Sequence, residues 1–512
     1  MQYILDGKTA KLIDEYSIKE IGIPSLVLME RAALSVTDTI IYSINPHNCL
    51  ILAGSGNNGA DGLAVARQLT ERNVKVTVLL TSSREGSEEY RLQLDILKKM
   101  AVDIIYLKDA ADISSILEKG YDCIVDAMYG IGLSRDIEDT TVIDAVNAYS
   151  SESKTIVVSV DLPSGIDSTD GKVRNAAVRA DITVTFGYNK LGNVLYPGAG
   201  YANTSVVTNI GFANPDGNEE LLRQISRFAS LKKDDLAILR ERKRDGNKGD
   251  FGKVLIVAGS DKIGGCASLS GKAAYSSGAG YVKVFTHEAN REGILSYAPE
   301  CLIDTYSMES DTADIDLYMK DIAWCDSIVI GPGIGISEYS KKMLMLALES
   351  KKMLLIDADA LSILAEYKIN LADFSDGNII ITPHVGEMSR LTGKPVKDIK
   401  ASLIDTALNY ARDNKVICVL KDARSVITDG RESYINLTGN SGMSTAGSGD
   451  VLTGIAGALL ANKSLTRNIS LTKLAALASF IHGSAGETAS KELGEVSMSA
   501  GDIISYIHEV IR

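Results

Sequence analysis

Cysteine is scarce and scattered in this chain. Its six residues (Cys49, Cys123, Cys266, Cys301, Cys325 and Cys418) form no C-x-x-C pair and no metal-ligand spacing. That gives no basis for a disulfide framework or a cysteine-held metal, and most of the six sit in apolar runs as small core residues. Long hydrophobic runs are missing too: none approaches the roughly 18 residues that a membrane helix needs. The first residues, MQYILDGKTAKLIDEY, lack the basic-then-apolar build of a signal peptide. Acidic residues outnumber basic ones, 66 to 53, for a net charge of −13, which argues against nucleic acid or an anionic membrane as partner. The one basic cluster, RERKRDGNK at 240–248, reads as a solvated linker. A Walker P-loop is also absent. The nearest approach, GCASLSGKA at 265–273, has the wrong glycine spacing and an alanine where Ser or Thr is required. The expectation is a cytoplasmic, reduced protein with neither nucleic-acid nor membrane partners.

What is present is an alternation of strand-like and helix-like segments, which implies α/β architecture with largely parallel sheets. Strand candidates lie at 50–53, 75–80, 103–107, 123–126, 155–160, 182–186 and 206–210, with helical patterns such as EEYRLQLDILKKM between them. A helix over about 6–44, broken at Gly22-Ile23-Pro24, packs beside them. Residues 213–233 open with turn formers and read as a polar connector with one short helix. A second α/β pattern follows, with strands at 254–258, 281–285, 327–330, 353–356, 379–381, 417–420 and 425–428. The expected division is a first domain over 1–215, a linker over 216–238 and a second domain over 239–512, with no convincing internal repeat between them.

In the second half, TAGSGDVLTGI (445–455) is a glycine-rich turn that opens an apolar helix. The N–H groups of Gly447, Ser448 and Gly449 would point at an anion, and the helix dipole adds to the attraction. Asp450, in the first turn, would accept a hydroxyl's proton, which is the pairing that phosphoryl transfer to an alcohol needs. The plainer reading is a capped helix start with small residues for close packing. In the first half, AGSGNNGADGLAVARQL (53–69) contains the G-x-G-x-x-G pattern at a strand-to-helix junction. A dinucleotide cofactor fold would place an acid at the tip of the second strand, yet KVTVLL is followed by Thr81, Ser82 and Ser83. Arg84 leaves open a 2′-phosphate contact. Asp61 would compete with a pyrophosphate for the helix N-terminus, and Asn57 and Asn58 suit polar groups or a cation better than a phosphate. Asp126 and Asp161 close two further strands, and ligands in open α/β sheets bind at those ends. As single turn formers each is unremarkable; together they converge on one crevice.

The late G-x-G-D turn resembles that of the ribokinase-like superfamily. Taken in order, NKGDFGKVLIVAGS, IGPGIGI, IDADAL, TPHVGEMSRL, KDARSV and NSGMSTAGSGD look like the ADP-dependent NAD(P)H-hydrate dehydratases over about 240–512. The set GIPSLVLMERAA, GSGNNGADG, DAMYGIGL and DLPSGID looks like the NAD(P)H-hydrate epimerase domain over about 1–212. The fused pattern resembles the bifunctional NAD(P)H-hydrate repair enzymes. This resemblance implies a Rossmann-like three-layer α/β/α domain followed by a ribokinase-like α/β domain. It implies as substrates NADH or NADPH hydrated at the nicotinamide ring (NADHX and NADPHX), with ADP as the phosphoryl donor and Mg²⁺ beside it.

Carried over residue by residue, the epimerase substrate would meet Asn57, Asn58, Gly59, Ala60 and Asp61, then Gly130, Ile131, Gly132, Leu133, Ser134, Arg135 and Asp136. Asp161 would contact it as the general acid/base. Asn58, Asp126 and Ser164 would offer oxygens to K⁺. In the dehydratase half, Cys266, Gly333, Gly335, His384 and the catalytic Asp450 would meet the substrate. The nucleotide would meet Lys421, Asp422, Ala423, Arg424 and Ser425. It would also meet Asn440, Ser441, Gly442, Met443 and Ser444, and then Thr445, Ala446, Gly447, Ser448 and Gly449. The pattern departs from the family at Ala60, Arg31, Cys266, Val385 and Asp422. A homo-oligomer is the expected assembly. Competing readings are a small-molecule kinase in the second half, an NADP-dependent oxidoreductase, and a catalytically idle interaction module in the first half.

Overall fold

The computed structural model describes every residue except 83, 108–111, 226–227, 241, 243 and 308–310. The chain forms two compact units, Tyr3–Arg227 and Phe228–Arg512, the latter together with Met1–Gln2.

In the first unit, β1 (Gln2–Leu5) leads into a helix at Gly7–Lys19 whose start is capped by Asp6, which accepts the Thr9 N–H at 2.7 Å. Pro24 opens the next helix, Ser25–Ser43, where its fixed φ and missing N–H cost nothing. Then come β2 (Asn48–Ala53), β3 (Lys75–Leu80), β4 (Asp103–Tyr106), β5 (Cys123–Ala127), β6 (Ile156–Val160), β7 (Ile182–Phe186), β8 (Asn189–Lys190) and β9 (Thr204–Thr208). Seven of these make one parallel sheet in the order β4-β3-β2-β5-β6-β7-β9. The side chains of β2 alternate between two cores: Cys49, Ile51 and Ala53 meet the helices Ser25–Ser43 and Asn57–Glu71, while Leu50 and Leu52 meet Thr141–Glu152. A strand buried on both faces needs apolar residues at every position, which is why NCLILA shows no polar alternation. The result is a three-layer α/β/α fold. Strand order reverses between β2 and β5, and the crevice at the carboxyl ends of these strands opens there.

The second unit contains β10 (Phe228–Ser230), β11 (Lys253–Val257), β12 (Tyr281–His287), β13 (Leu302–Tyr306), β14 (Ser327–Ile330), β15 (Met353–Ile356), β16 (Ile379–Ile381), β17 (Ile417–Leu420), β18 (Val426–Thr428) and β19 (Ser433–Ile435). They run in the order β13-β12-β11-β14-β15-β16-β17-β18-β19-β10. The block from β13 to β17 is parallel, and β18 is antiparallel to both its neighbours. Here the order reverses between β11 and β14. The helix Ser448–Ala461 is buried nearly all round, because it packs on this sheet and also beneath other helices. The ribokinase-like α/β expectation for this half and the three-layer expectation for the first both agree with the architecture.

Several elements differ from the sequence reading. β9 begins two residues earlier than expected, and β1, β8, β10, β13 and β19 are additional. Four of these five have four or fewer residues, too few for a period to show, and β13 is a partly exposed edge strand. The expected connector therefore ends in a strand, β10, that pairs with β19. Within the basic stretch 240–248, residues 241 and 243 lie outside the described residues. Arg242 covers the Phe251 ring at 3.7 Å and Lys248 covers Tyr281 at 4.8 Å, so these cations are stacked on aromatic faces. All six cysteines are free and buried. Among the described residues no helix is long and apolar enough to cross a membrane.

The glycine pattern at 54–59 owes its spacing to packing. A Cβ at Gly54 would lie 2.0 Å from the Met128 carbonyl oxygen, and one at Gly59 would lie 1.8 Å from that of Gly54; at Gly56 it would meet nothing. Gly59→Ala should therefore destabilise the first unit by about 1–3 kcal/mol through overpacking. Gly56→Ala should stay within about 0.5 kcal/mol. Calorimetric unfolding of the two variants against the parent checks the contrast, and equal effects would contradict it.

Candidate active sites

In the first unit the crevice is a cavity of about 910 Å³. Asn57, Asn58, Asp61, Gly130, Ile131, Gly132, Leu133, Ser134, Arg135 and Asp161 all line it. Gly59 and Ala60 lie buried in the helix turn beneath, and Asp136 is exposed on the loop outside the lining. Thr81, Ser82 and Arg84 also line the cavity, while Ser83 lies outside the described residues.

Asp161 follows the last residue of β6 with φ +66°, a left-handed conformation uncommon for non-glycine residues and best tolerated by Asn and Asp. Its Oδ1 accepts from the Lys190 Nζ at 2.5 Å, the Thr185 hydroxyl at 3.0 Å and the Phe186 N–H at 3.0 Å. The Lys190 ammonium, 3% exposed, also donates to Thr185 Oγ1 and to the Phe186 carbonyl. The Asn193 amide donates to the Asp161 carbonyl at 3.1 Å. With its partners filled in this way, the aspartate is held in one orientation with its charge balanced.

Asp126 is the next-to-last residue of β5 and is fully buried. It accepts from the Ser159 hydroxyl and the Ser164 N–H, both at 2.8 Å, and from the Ser164 hydroxyl at 2.5 Å. Burial pushes its carboxyl pKa up. Ser164 Oγ also accepts the Tyr129 N–H, and the Asn58 amide donates to the Tyr129 carbonyl. Asn58, Asp126 and Ser164 thus meet around Tyr129. The donor set is oxygen only, and among the described residues no basic side chain pairs with the buried carboxylate. A hard monovalent cation fits this chemistry.

In the second unit, Gly447 takes φ +89° at the start of the helix Ser448–Ala461, and Asp450 sits in its first turn. Burial and the charge of Asp357 push the Asp450 carboxyl up to about 7, against the pull of Lys421. Lys421 pairs with Asp357 at 2.9 Å, and a Cβ on Gly449 would lie 3.6 Å from that carboxylate, so the pair sits against the helix start. The Ser448 hydroxyl lies 3.2 Å from Nε2 of His482, whose burial pushes its pKa down to about 4 and keeps the ring neutral.

His384 caps the helix Val385–Thr392. Its Nδ1 accepts the N–H groups of Gly386 and Glu387, while Glu387 accepts the His384 N–H. In the neutral ring the remaining proton is then on Nε2, on a side chain that is 56% exposed. The Lys421 N–H donates to the Pro383 carbonyl, joining the loops that carry His384 and Lys421. Cys266 donates to the Pro332 carbonyl, and burial pushes its thiol up to about 12. Gly333 lies against it: a Cβ there would come within 2.7 Å of the sulfur. The Gly335 N–H donates to Asp359.

The residues expected at the nucleotide are less uniform. Lys421, Gly447, Ser448 and Gly449 gather near Asp450. Asp422, Ala423, Ser444 and Ala446 are exposed on their loops, with Thr445 among them half-buried. Arg424 donates to the Leu437 carbonyl and Ser425 accepts the Asn436 N–H. The Asn440 amide is consumed by Gly486, Ser490 and Gly442, Ser441 bonds Glu495, and Met443 packs against Gly486, so this loop is tied to the helix Leu471–Leu493.

Sequence reasoning missed Lys190, Thr185, Asp357 and His482. Asp357 did carry a signal, since it directly follows β15 in IDADAL as Asp161 follows β6. Lys190 and His482 carried none, because their partners are distant in sequence or in another element.

Residues 254–509 match a family model described as NAD(P)H-hydrate dehydratase, and 25–192 match one described as YjeF-related protein N-terminus. The bifunctional NAD(P)H-hydrate repair enzyme of Thermofilum pendens is 34% identical over 98% of this chain and 95% of its own. That of Moorella thermoacetica is 34% identical over 100% and 97%. Among solved structures, an ADP/ATP-dependent NAD(P)H-hydrate dehydratase from Bacillus subtilis, co-crystallised with ATP and Mg²⁺, is 26% identical with a TM-score of 0.47, covering 55% of this chain and 97% of that one.

The electrostatics around Asp450 give a direct test. Asp357→Asn should lower its carboxyl pKa, and Lys421→Met should raise it, each by about one pH unit or more. Carboxyl-carbon NMR titration of the two variants reads the shifts. Movement of both in the same direction would contradict the arrangement.

Proposed function

Because the chain belongs to the bifunctional NAD(P)H-hydrate repair enzymes, we propose that its two units act in series on one damaged cofactor class. The substrate is NADH or NADPH hydrated across C5–C6 of the nicotinamide ring, with a hydroxyl at C6. The first unit interconverts the R and S forms at C6. The second uses ADP to phosphorylate the S form and then eliminates phosphate, releasing AMP and NAD(P)H.

Asp450 is the observation that carries this reading. A carboxyl near 7 is an effective general base at neutral pH, and this one lies in the first turn of a helix whose N–H groups attract anions. Hydroxide is a poor leaving group at neutral pH, and phosphorylation makes it a good one. Asp450 accepts the C6 hydroxyl proton as the oxygen takes the terminal phosphoryl group of ADP. The N–H groups of Gly447, Ser448 and Gly449 stabilise the charge on that group. Elimination then breaks the C6–O bond and removes a C5 proton, restoring the ring double bond. Mg²⁺ would come with ADP, held chiefly by the nucleotide's phosphates, and would supply positive charge beside them.

In the first unit, Asn58, Asp126 and Ser164 would hold K⁺, which when bound supplies positive charge beside the buried carboxylate and an anchor for substrate oxygens. Asp161 is the general acid/base, and Asn57, Asn58 and the loop from Gly130 to Arg135 hold the dinucleotide. The crevice thus takes a dinucleotide as substrate, and the glycines beneath it serve packing.

With the S hydrate and ADP, kcat/KM should rise with pH through about 7 as Asp450 loses its proton, falling about tenfold per pH unit below it. Asp450→Asn should lower kcat by about 10²-fold or more. Recovery of reduced-nicotinamide absorbance measures both. A pH-independent rate together with an active Asp450→Asn variant would overturn the assignment.

A further inference from the structure

The first unit's cavity holds a second carboxyl group with a different environment from Asp161. Asp61 lines the cavity from the second turn of the helix Asn57–Glu71, and among the described residues no hydrogen bond or ion pair reaches its side chain. Asp161 is the opposite case: it lines the same cavity, and its Oδ1 accepts from Lys190, Thr185 and the Phe186 N–H. An acid without donors is best accommodated protonated, whereas Asp161 is held in place by an ammonium and two further donors.

Resting on the epimerase reading above, we propose that Asp61 and Asp161 divide the epimerisation between them, Asp61 as the neutral acid and Asp161 as the base. Lys190 is the positioning residue that keeps Asp161 oriented. The Asp161 carboxylate removes the C6 hydroxyl proton. The C6–N1 bond breaks with its electron pair on N1, which takes the proton of Asp61, and C6 becomes an aldehyde carbon. Rotation about C5–C6 presents the other face. N1 attacks C6 while returning its proton to Asp61, and the new C6 oxygen regains a proton from Asp161. Both groups are reset, and no oxidant, reductant or net proton is needed.

Burial and the charge of Asp161 push the Asp61 carboxyl well up, with Asp14 and Glu89 adding to this. Lys190 is the buried cation of the cavity, and Lys11, Lys19, Arg84 and Arg135 stand around the lining with Glu15. Two carboxyls with environments pushed apart are the pattern of an acid/base pair.

The test follows exchange between R and S hydrate without ADP, using the full chain across pH. Wild type should lose rate as pH rises, an alkaline limb that reports ionisation of Asp61. Asp61→Asn should lower kcat by about 10²-fold or more with KM little changed, and remove the alkaline limb. Asp61→Glu, which keeps an acid, should restore part of the rate. Lys190→Met should lower kcat with KM little changed, because the ammonium that orients Asp161 is gone; Lys190→Arg should restore part of the rate. Thermal unfolding checks that each variant is folded. Wild type lacking an alkaline limb overturns the pairing without any variant. So does Asp61→Asn that exchanges at the parental rate. A wild-type chain that exchanges no faster than buffer overturns the epimerase reading as well.

Discussion

A parallel sheet sends all its strand ends to one edge, and where strand order reverses, the flanking loops part instead of covering that edge. Both units of this chain are built on that constraint. In the first, the reversal between β2 and β5 puts the turn at 54–61, the loop after Asp126 and the Asp161 turn around one cavity. In the second, the reversal between β11 and β14 brings Cys266 against the Pro332–Gly333 loop. The chemistry sits where these folds leave space, and the residues there differ because the loops differ.

The two units show no sequence repeat, yet they share an electrostatic device. Each places a lysine–aspartate pair at a strand end, Lys190 with Asp161 and Lys421 with Asp357. Each adds a second aspartate, Asp61 or Asp450, whose ionisation burial and the neighbouring aspartate oppose. Burying an ion pair is costly and gives little net stability. What it gives is a fixed orientation and a local field. On the reading proposed above, the device serves proton transfer to and from the C6 oxygen and N1 in the first unit and proton removal from a phosphoryl acceptor in the second. Neutral His482 behind Ser448 stiffens the second site without adding charge, and His384 caps the neighbouring helix Val385–Thr392.

Much of the fold was legible because parallel strands buried on both faces must be unbroken apolar runs, as NCLILA and KVTVLL are. The strands that escaped are the ones for which that pressure is absent: the four residues of β1, the two of β8, the three each of β10 and β19, and the edge strand β13. The sites were legible as motifs, since glycines at close approaches and aspartates at strand ends recur at fixed places. Their electrostatics were not. Lys190 lies 29 residues from Asp161, and Lys421 lies 64 from Asp357; no local spacing announces such pairs. The glycine pattern at 54–59 also misdirects when read as a phosphate-binding turn, because packing against Met128 and the turn's own backbone already explains Gly54 and Gly59.

The central claim is that one chain carries two separable steps in sequence. Pure R hydrate with ADP tests it most directly, with R, S and reduced cofactor resolved chromatographically over time. The wild-type chain should convert all of it to NAD(P)H. Asp450→Asn should stop at an R and S mixture, and Asp161→Asn should leave R hydrate at the level of buffer alone while still repairing S hydrate. Repair of R hydrate by Asp161→Asn at the parental rate would contradict the account.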